Sequence, residues 1–224
     1  MMALALLTMR PPSEERPSGP SDAQRLEQPE RPSDCVGVDA GADLTTRIAG
    51  VERRSTFCLE AGRYRGPVRI NRPVTVWGPS DAVVDGAENG STVFIQSDDV
   101  RLAGFTVVGS GNSYTEQDAG IFVTESAGVV LDGLTIEDVL FGITSQKVDR
   151  LTIRDSRVAC RTKRALGMRG DGIRLWETRE SLVEGNRMTG CRDMVVWYSP
   201  GNAFVGNRVE GGRYGTHFMY SSRN

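Results

Sequence analysis

Blocks of this chain superpose on one another at a nearly constant offset, and that period restricts the folds open to it. Gly120-Ile121-Phe122 returns as Gly142-Ile143-Thr144. Gly172-Ile173-Arg174-Leu175-Trp176 is answered one period later by Asp193-Met194-Val195-Val196-Trp197, and the next period brings Tyr214-Gly215-Thr216-His217-Phe218. Two further landmarks keep step: Glu184-Gly185-Asn186-Arg187-Met188 with Val205-Gly206-Asn207-Arg208-Val209, and Tyr198-Ser199-Pro200-Gly201-Asn202 with Tyr220-Ser221-Ser222-Arg223-Asn224. A fixed period of roughly 20–25 residues is the mark of a solenoid, because one repeat cannot bury its apolar face without a neighbour.

Each period holds two or three short alternating runs separated by Gly, Asn, Asp or Ser, which describes a coil of strands. Composition agrees, since 26 of 224 residues are Gly, against a usual ~7%. A helical bundle is excluded on that ground, because each interior Gly costs a helix about 1 kcal/mol relative to Ala. There is no Gly-X-Y period, no Leu-x-x-Leu-x-Leu ladder and no Gly-Gly-x-Gly-x-Asp nonapeptide. The pattern predicts an all-β fold, a right-handed parallel β-helix with one rung per period of about 21–22 residues. Asn186 and Asn207 are expected to stack at one turn, each amide bonding the next.

Residues 56–224 should form the helix of strands and 35–55 a capping segment. Residues 1–34 read as a signal-like apolar remnant (Met1 to Met9) followed by a disordered linker rich in Pro, Ser, Glu and Arg. No apolar run reaches the ~18 residues of a membrane span. Asn224 falls inside a coil, which predicts a β-helix truncated at its C-terminus, or an end covered by a partner. Two insertions interrupt the period, at Gly109–Glu116 and at Arg161–Arg169, the second strongly basic. Insertions on solenoids protrude and often line the working face.

Four cysteines suggest the economical pairs Cys35–Cys58 and Cys160–Cys191, or four small buried hydrophobes. No Cys-x-x-Cys spacing supports zinc. Charge is asymmetric: residues 1–144 hold 12 basic and 21 acidic groups, residues 145–224 hold 15 and 8. The basic half lacks a compact Lys/Arg run with interleaved aromatics, so nucleic acid is not an expected partner.

Arg63-Tyr64-Arg65-Gly66-Pro67-Val68, Gly170-Asp171-Gly172-Ile173-Arg174-Leu175-Trp176 and above all Arg213-Tyr214-Gly215-Thr216-His217-Phe218-Met219-Tyr220-Ser221 resemble the NosD family, over about residues 56–224. That resemblance implies a periplasmic, non-enzymatic accessory protein of nitrous oxide reductase maturation. It implies copper as the metal handled. It implies as partners an ABC transporter of the NosF ATPase and NosY permease, the copper lipoprotein NosL and the apo-reductase, with membrane association only through them. Family members are roughly twice this length, so the chain reads as an N-terminal fragment.

His217 is the only histidine, and Met219 lies two residues on. In a strand such residues share a face, their side chains within about 7 Å. Imidazole with thioether suits Cu(I), and Met194, one rung away, is the expected third ligand, with Met188 and Met168 as substitutes. Against this stands the ordinary use of Met as core filler. The alternative function is a carbohydrate-active β-helix of lyase or hydrolase type. There the Asp residues near successive turns (Asp132, Asp155, Asp171, Asp193) would bind Ca²⁺ or act as acid and base, with Arg192 or Arg213 stabilising charge. The same aspartates equally suit turn capping. Trp176, Trp197 and Phe218 are expected in one aromatic column, as a corner filler or a docking stripe. No phosphate loop, Gly-x-Ser-x-Gly elbow or His-Glu-x-x-His motif occurs.

Overall fold

In the computed structural model, which describes residues 28–51 and 54–224, the alternating runs become strands of three parallel sheets. The first sheet stacks Val36–Val38, Ser55–Leu59, Val74–Trp77, Arg101–Ala103, Val130–Asp132, Thr152–Arg154, Leu182–Glu184 and Ala203–Val205. The second stacks Gly62–Arg65, Ala82–Asp85, Thr106–Val108, Thr135–Val139, Arg157–Cys160, Arg187–Thr189 and Arg208–Glu210. The third stacks Val68–Ile70, Val93–Ile95, Ala119–Ala127, Phe141–Asp149, Ile173–Trp176, Met194–Trp197 and Thr216–Met219. The chain visits the three sheets in turn, so each circuit is one triangular rung of a parallel β-helix, as the period predicts.

Alternation fixes which residues turn inward. Phe57, Val76, Leu102, Leu131, Ile153, Val183 and Phe204 lie in register in the first sheet. Tyr64, Val84, Val107, Ile136, Val158, Met188 and Val209 do so in the second. These columns run through one continuous core. Such burial stabilises by about 25 cal/mol per Å² of apolar surface, and no single rung could achieve it alone.

The corners explain the Gly, Asn and Ser spacing. Gly104, Gly133, Asp155, Gly185 and Gly206 occupy one column between the first and second sheets, all at positive φ. A Cβ on Gly185 would lie 2.5 Å from Asp155 Oδ1, so glycine is needed there for space as well as for backbone angle. Beside that column runs the expected amide ladder. Ser156 N donates to Asn186 Oδ1 at 3.0 Å, and Asn186 Nδ2 donates to Asn207 Oδ1 at 2.9 Å. A second ladder links Ser181, Asn202 and Asn224, and a third Thr178, Ser199 and Ser221.

Ahead of the rungs a short helix, Leu44–Ala49, lays Leu44 and Ile48 into the core beside Val68–Ile70. Asp43 caps it, accepting from Thr46 N at 3.1 Å. Both cysteine pairs form disulfides, Cys35–Cys58 and Cys160–Cys191, with Cα–Cα separations of 5.7 and 4.9 Å. The expected signal remnant lies outside the described residues. The last residues of the expected linker are docked: Gln28 Nε2 donates to Gly78 O and Gly104 O, and Trp77 Nε1 donates to Pro29 O. No helix among the described residues is long and apolar enough to cross a membrane.

Candidate functional site

The outer face of the third sheet carries the chemistry. Ile173 pairs with Met194 and Met194 with Thr216, so these three share the inward side, and Met194 is part of the core. The residues between them face outward. Thr144, Arg174, Val195 and His217 form one outer column, and Gln146, Trp176, Trp197 and Met219 the next.

His217 and Met219 are therefore brought to a common outer face, both half-buried, with the imidazole against Tyr214 at 5.4 Å between ring centroids. Met194 is not brought there. It points into the core, 3% exposed, and cannot complete a site with the other two. Met194 is held inward by its pairing with Ile173, and an added residue turns His217 and Met219 to the opposite face. The last rung is slightly longer than the rung before it, so Val195 and not Val196 stands beside His217. Met188 is core as well, and Met168 is exposed on the basic insertion. The same shift corrects the aromatic column: Met219, not Phe218, follows Trp176 and Trp197. Phe218 turns inward against Phe204. Among the described residues no group of three or more His, Cys, Asp or Glu side chains could hold a metal.

Below this pair lies a residue that spacing did not single out. Arg174 is 8% exposed, and its guanidinium stands over Trp197 at 4.9 Å and Trp176 at 5.5 Å. The two indoles meet edge to face. A planar cation between aromatic faces is well placed for cation–π attraction, which a lysine would satisfy less well. A readable signal existed: Arg174 interrupts Ile173-Arg174-Leu175-Trp176, where outward residues of a covered strand would be apolar.

Arg174 Nη1 lies 3.6 Å from Asp171 Oδ2. Asp171 is fully buried and bidentate with Arg192, Nε to Oδ1 and Nη2 to Oδ2 both 2.9 Å. Burial pushes the Asp171 carboxyl above its ordinary value, against the pull of Arg192 and Arg174, and burial lowers Arg174. One rung on, buried Asp193 accepts from Tyr214 N at 2.6 Å and from Arg213 at 3.2 Å. Asp132 accepts from Arg101 and Arg154. The aspartates considered for acid–base work are thus largely occupied in holding arginines across rungs.

Both insertions leave the solenoid at the corner between the second and third sheets, and they meet. Arg161 Nη1 donates to Asn112 Oδ1 at 2.9 Å, its Nε donates to Asp138 at 2.8 Å, and Arg192 Nη1 donates to the Tyr114 hydroxyl. Arg169 folds back onto Arg164 O at 2.9 Å. The basic loop is therefore substantially engaged with its own protein. Gln117, the residue that follows the first insertion, joins Thr144, Ser145, Gln146, Arg174, Trp176 and Trp197 in lining a 320 Å³ cavity.

The fold defines a class, the parallel β-helix, and solved structures share that fold. The A-module of mannuronan C-5 epimerase AlgE6 from Azotobacter vinelandii matches with a TM-score of 0.52 at 14% identity, over 77% of this chain and 55% of that one. A pectin methylesterase in complex with a hexasaccharide matches with a TM-score of 0.53 at 12% identity, over 86% and 80%. At those identities the likeness is one of fold alone. Sequence narrows it further: residues 158–224 match the family described as periplasmic copper-binding protein (NosD). A probable ABC transporter binding protein NosD from Pseudomonas aeruginosa is 33% identical over 138 residues, 61% of this chain and 32% of that relative. Its counterpart from Stutzerimonas stutzeri is 25% identical over 69% of this chain and 36% of that relative. The resemblance to NosD carried by the sequence motifs is borne out, and the chain spans about a third of the length of these curated relatives.

Proposed function

We propose that this chain is part of a periplasmic accessory protein that handles or presents Cu(I) during maturation of nitrous oxide reductase, without catalytic turnover of its own. The observation that carries the reading is the His217–Met219 pair, set on one outer face inside the segment that matches the NosD family. A soft thioether and an imidazole on adjacent outward positions suit Cu(I). With Met194 in the core, this chain supplies two ligands, so the ion stays exchangeable and its coordination is completed by a partner. In this reading the partners are a NosF/NosY-type ABC transporter, a NosL-type copper donor and the apo-reductase, and the rigid coil serves as the platform between them.

The test is an anaerobic Cu(I) titration competed against a chelator of known affinity, with His217→Ala/Met219→Ala alongside. Stoichiometric binding that the double variant loses supports the reading. A folded protein whose Cu(I) affinity is the same in both forms refutes this site. The competing reading, a polyuronide-cleaving β-helix, predicts turnover of pectate or alginate, and turnover would overturn the accessory role.

A further inference from the structure

The 320 Å³ cavity on the third sheet lies within the size range of ligand pockets, roughly 300–1,000 Å³. Three of its lining side chains hold polar atoms that are buried and unpartnered: Arg174 Nε, Thr144 Oγ1 and Trp197 Nε1. Buried polar groups are ordinarily hydrogen-bonded, and three exceptions in one cavity call for a partner. All three can donate, which favours an oxyanion. Charge agrees, because Arg174, Arg192 and Arg213 face only Asp171 and Asp193, and Arg192 is committed to Asp171 and the Tyr114 hydroxyl. Glu177, next to the lining residue Trp176, has its carboxylate occupied by Trp176 Nε1 at 3.3 Å.

The rest of the wall restricts what carries that oxyanion. Trp176 and Trp197 offer apolar ring surface, while Gln117 and Gln146 offer amides that both donate and accept. Amides of that kind match hydroxyl groups, which do the same, and an aryl or alkyl carboxylate has none. A saturated ring bearing hydroxyls and one carboxylate meets every requirement.

We propose that this cavity binds a sugar acid, with its carboxylate on Arg174, Thr144 and Trp197 and its ring against the two indoles. This is binding without cleavage, and it goes beyond the copper reading because no metal takes part. Trp176 and Trp197 are two of the three tryptophans, so the site reports on itself by fluorescence.

The experiment titrates the metal-free protein with D-galacturonate, D-galactose and benzoate, following tryptophan emission and binding heat. Galacturonate should bind at least roughly tenfold more tightly than the neutral sugar or the ringed carboxylate without hydroxyls, the factor expected for one charge-assisted hydrogen bond. Thr144→Val keeps shape and removes one donor, and Trp197→Phe removes another while keeping an aromatic ring beside Arg174, so each should weaken galacturonate several-fold in a protein that circular dichroism shows to be folded. Arg174→Lys should abolish the preference over galactose, and if it fails to fold the other two variants decide. No binding of galacturonate overturns the proposal. So does equal binding of galactose or benzoate, or affinity unmoved in the folded variants. Because the titration is run without copper, its failure leaves the His217–Met219 reading standing, and the reverse also holds.

Discussion

Replacing Arg192 with Met tests whether the arginine–aspartate pairs hold the outer sheet together. Asp171 is fully buried and takes two 2.9 Å bonds from Arg192, whose side chain is itself only 16% exposed. Arg192→Met keeps most of the volume and strands the carboxylate with Arg174 at 3.6 Å. Removing one partner of a buried pair costs about 3–5 kcal/mol, because the other charge stays desolvated. For a chain of this size that corresponds to about a 10 °C fall in Tm. In a solenoid the loss should concentrate in the rungs around residues 171–193, so hydrogen exchange there should rise before the N-terminal rungs respond.

The acid dependence carries the argument further. Burial already holds the Asp171 carboxyl above its ordinary 3.8, and losing Arg192 raises it more. With a raised folded value, the stability tied to the protonated form is fully present below the unfolded value and is lost as pH rises through the folded one. The deficit of Arg192→Met is therefore largest at neutral pH and shrinks as pH falls toward about 4. Asp171→Asn/Arg192→Met, which leaves no stranded charge, should recover most of the loss. Urea melts of the wild type and these variants at pH 7 and in acid measure all of this. A single-variant cost below about 1 kcal/mol, or a deficit that does not shrink in acid, would refute the reasoning.

Gly142→Ala places a Cβ 2.2 Å from Gly172 O and 2.3 Å from Val158 Cγ1, so overpacking should cost about 1–3 kcal/mol in a denaturant melt. Asn186→Ala breaks the amide ladder at a buried position, freeing Ser156 N and Ile153 O, and should cost roughly 2–3 kcal/mol with local gain of exchange at Ser156. The Asp43 cap gives the opposite acid behaviour to Asp171. Its side-chain bond from Thr46 lowers the carboxyl below 3.8, so its contribution is present above that value and is lost as pH falls through the lower folded one. Asp43→Asn should remove that dependence from melts of the N-terminal rungs between about pH 5 and 2.

What local chemistry decides was readable in the chain. The repeat period, the inward Val, Ile and Leu of each run, and the Gly or Asp at each positive-φ corner follow from strand alternation and turn sterics. They led to the β-helix, the amide ladder of Asn186 and Asn207 and the meeting of Cys160 with Cys191. The pairing of His217 with Met219 on one face was legible for the same reason, since it depends only on positions two apart in a strand. What depends on one rung departing from the average period was not. The added residue in the last rung turns His217 and Met219 to the face opposite Met194 and sends Phe218 inward, and a repeat averaged over the chain hides a shift of that size. The cavity is further still from the sequence. Thr144, Arg174 and Trp197 come from three rungs and Gln117 from the edge of an insertion, so nothing local sets the distances between them along the chain. Only stacking, which converts one period along the chain into about 4.8 Å across a sheet, brings them to one place.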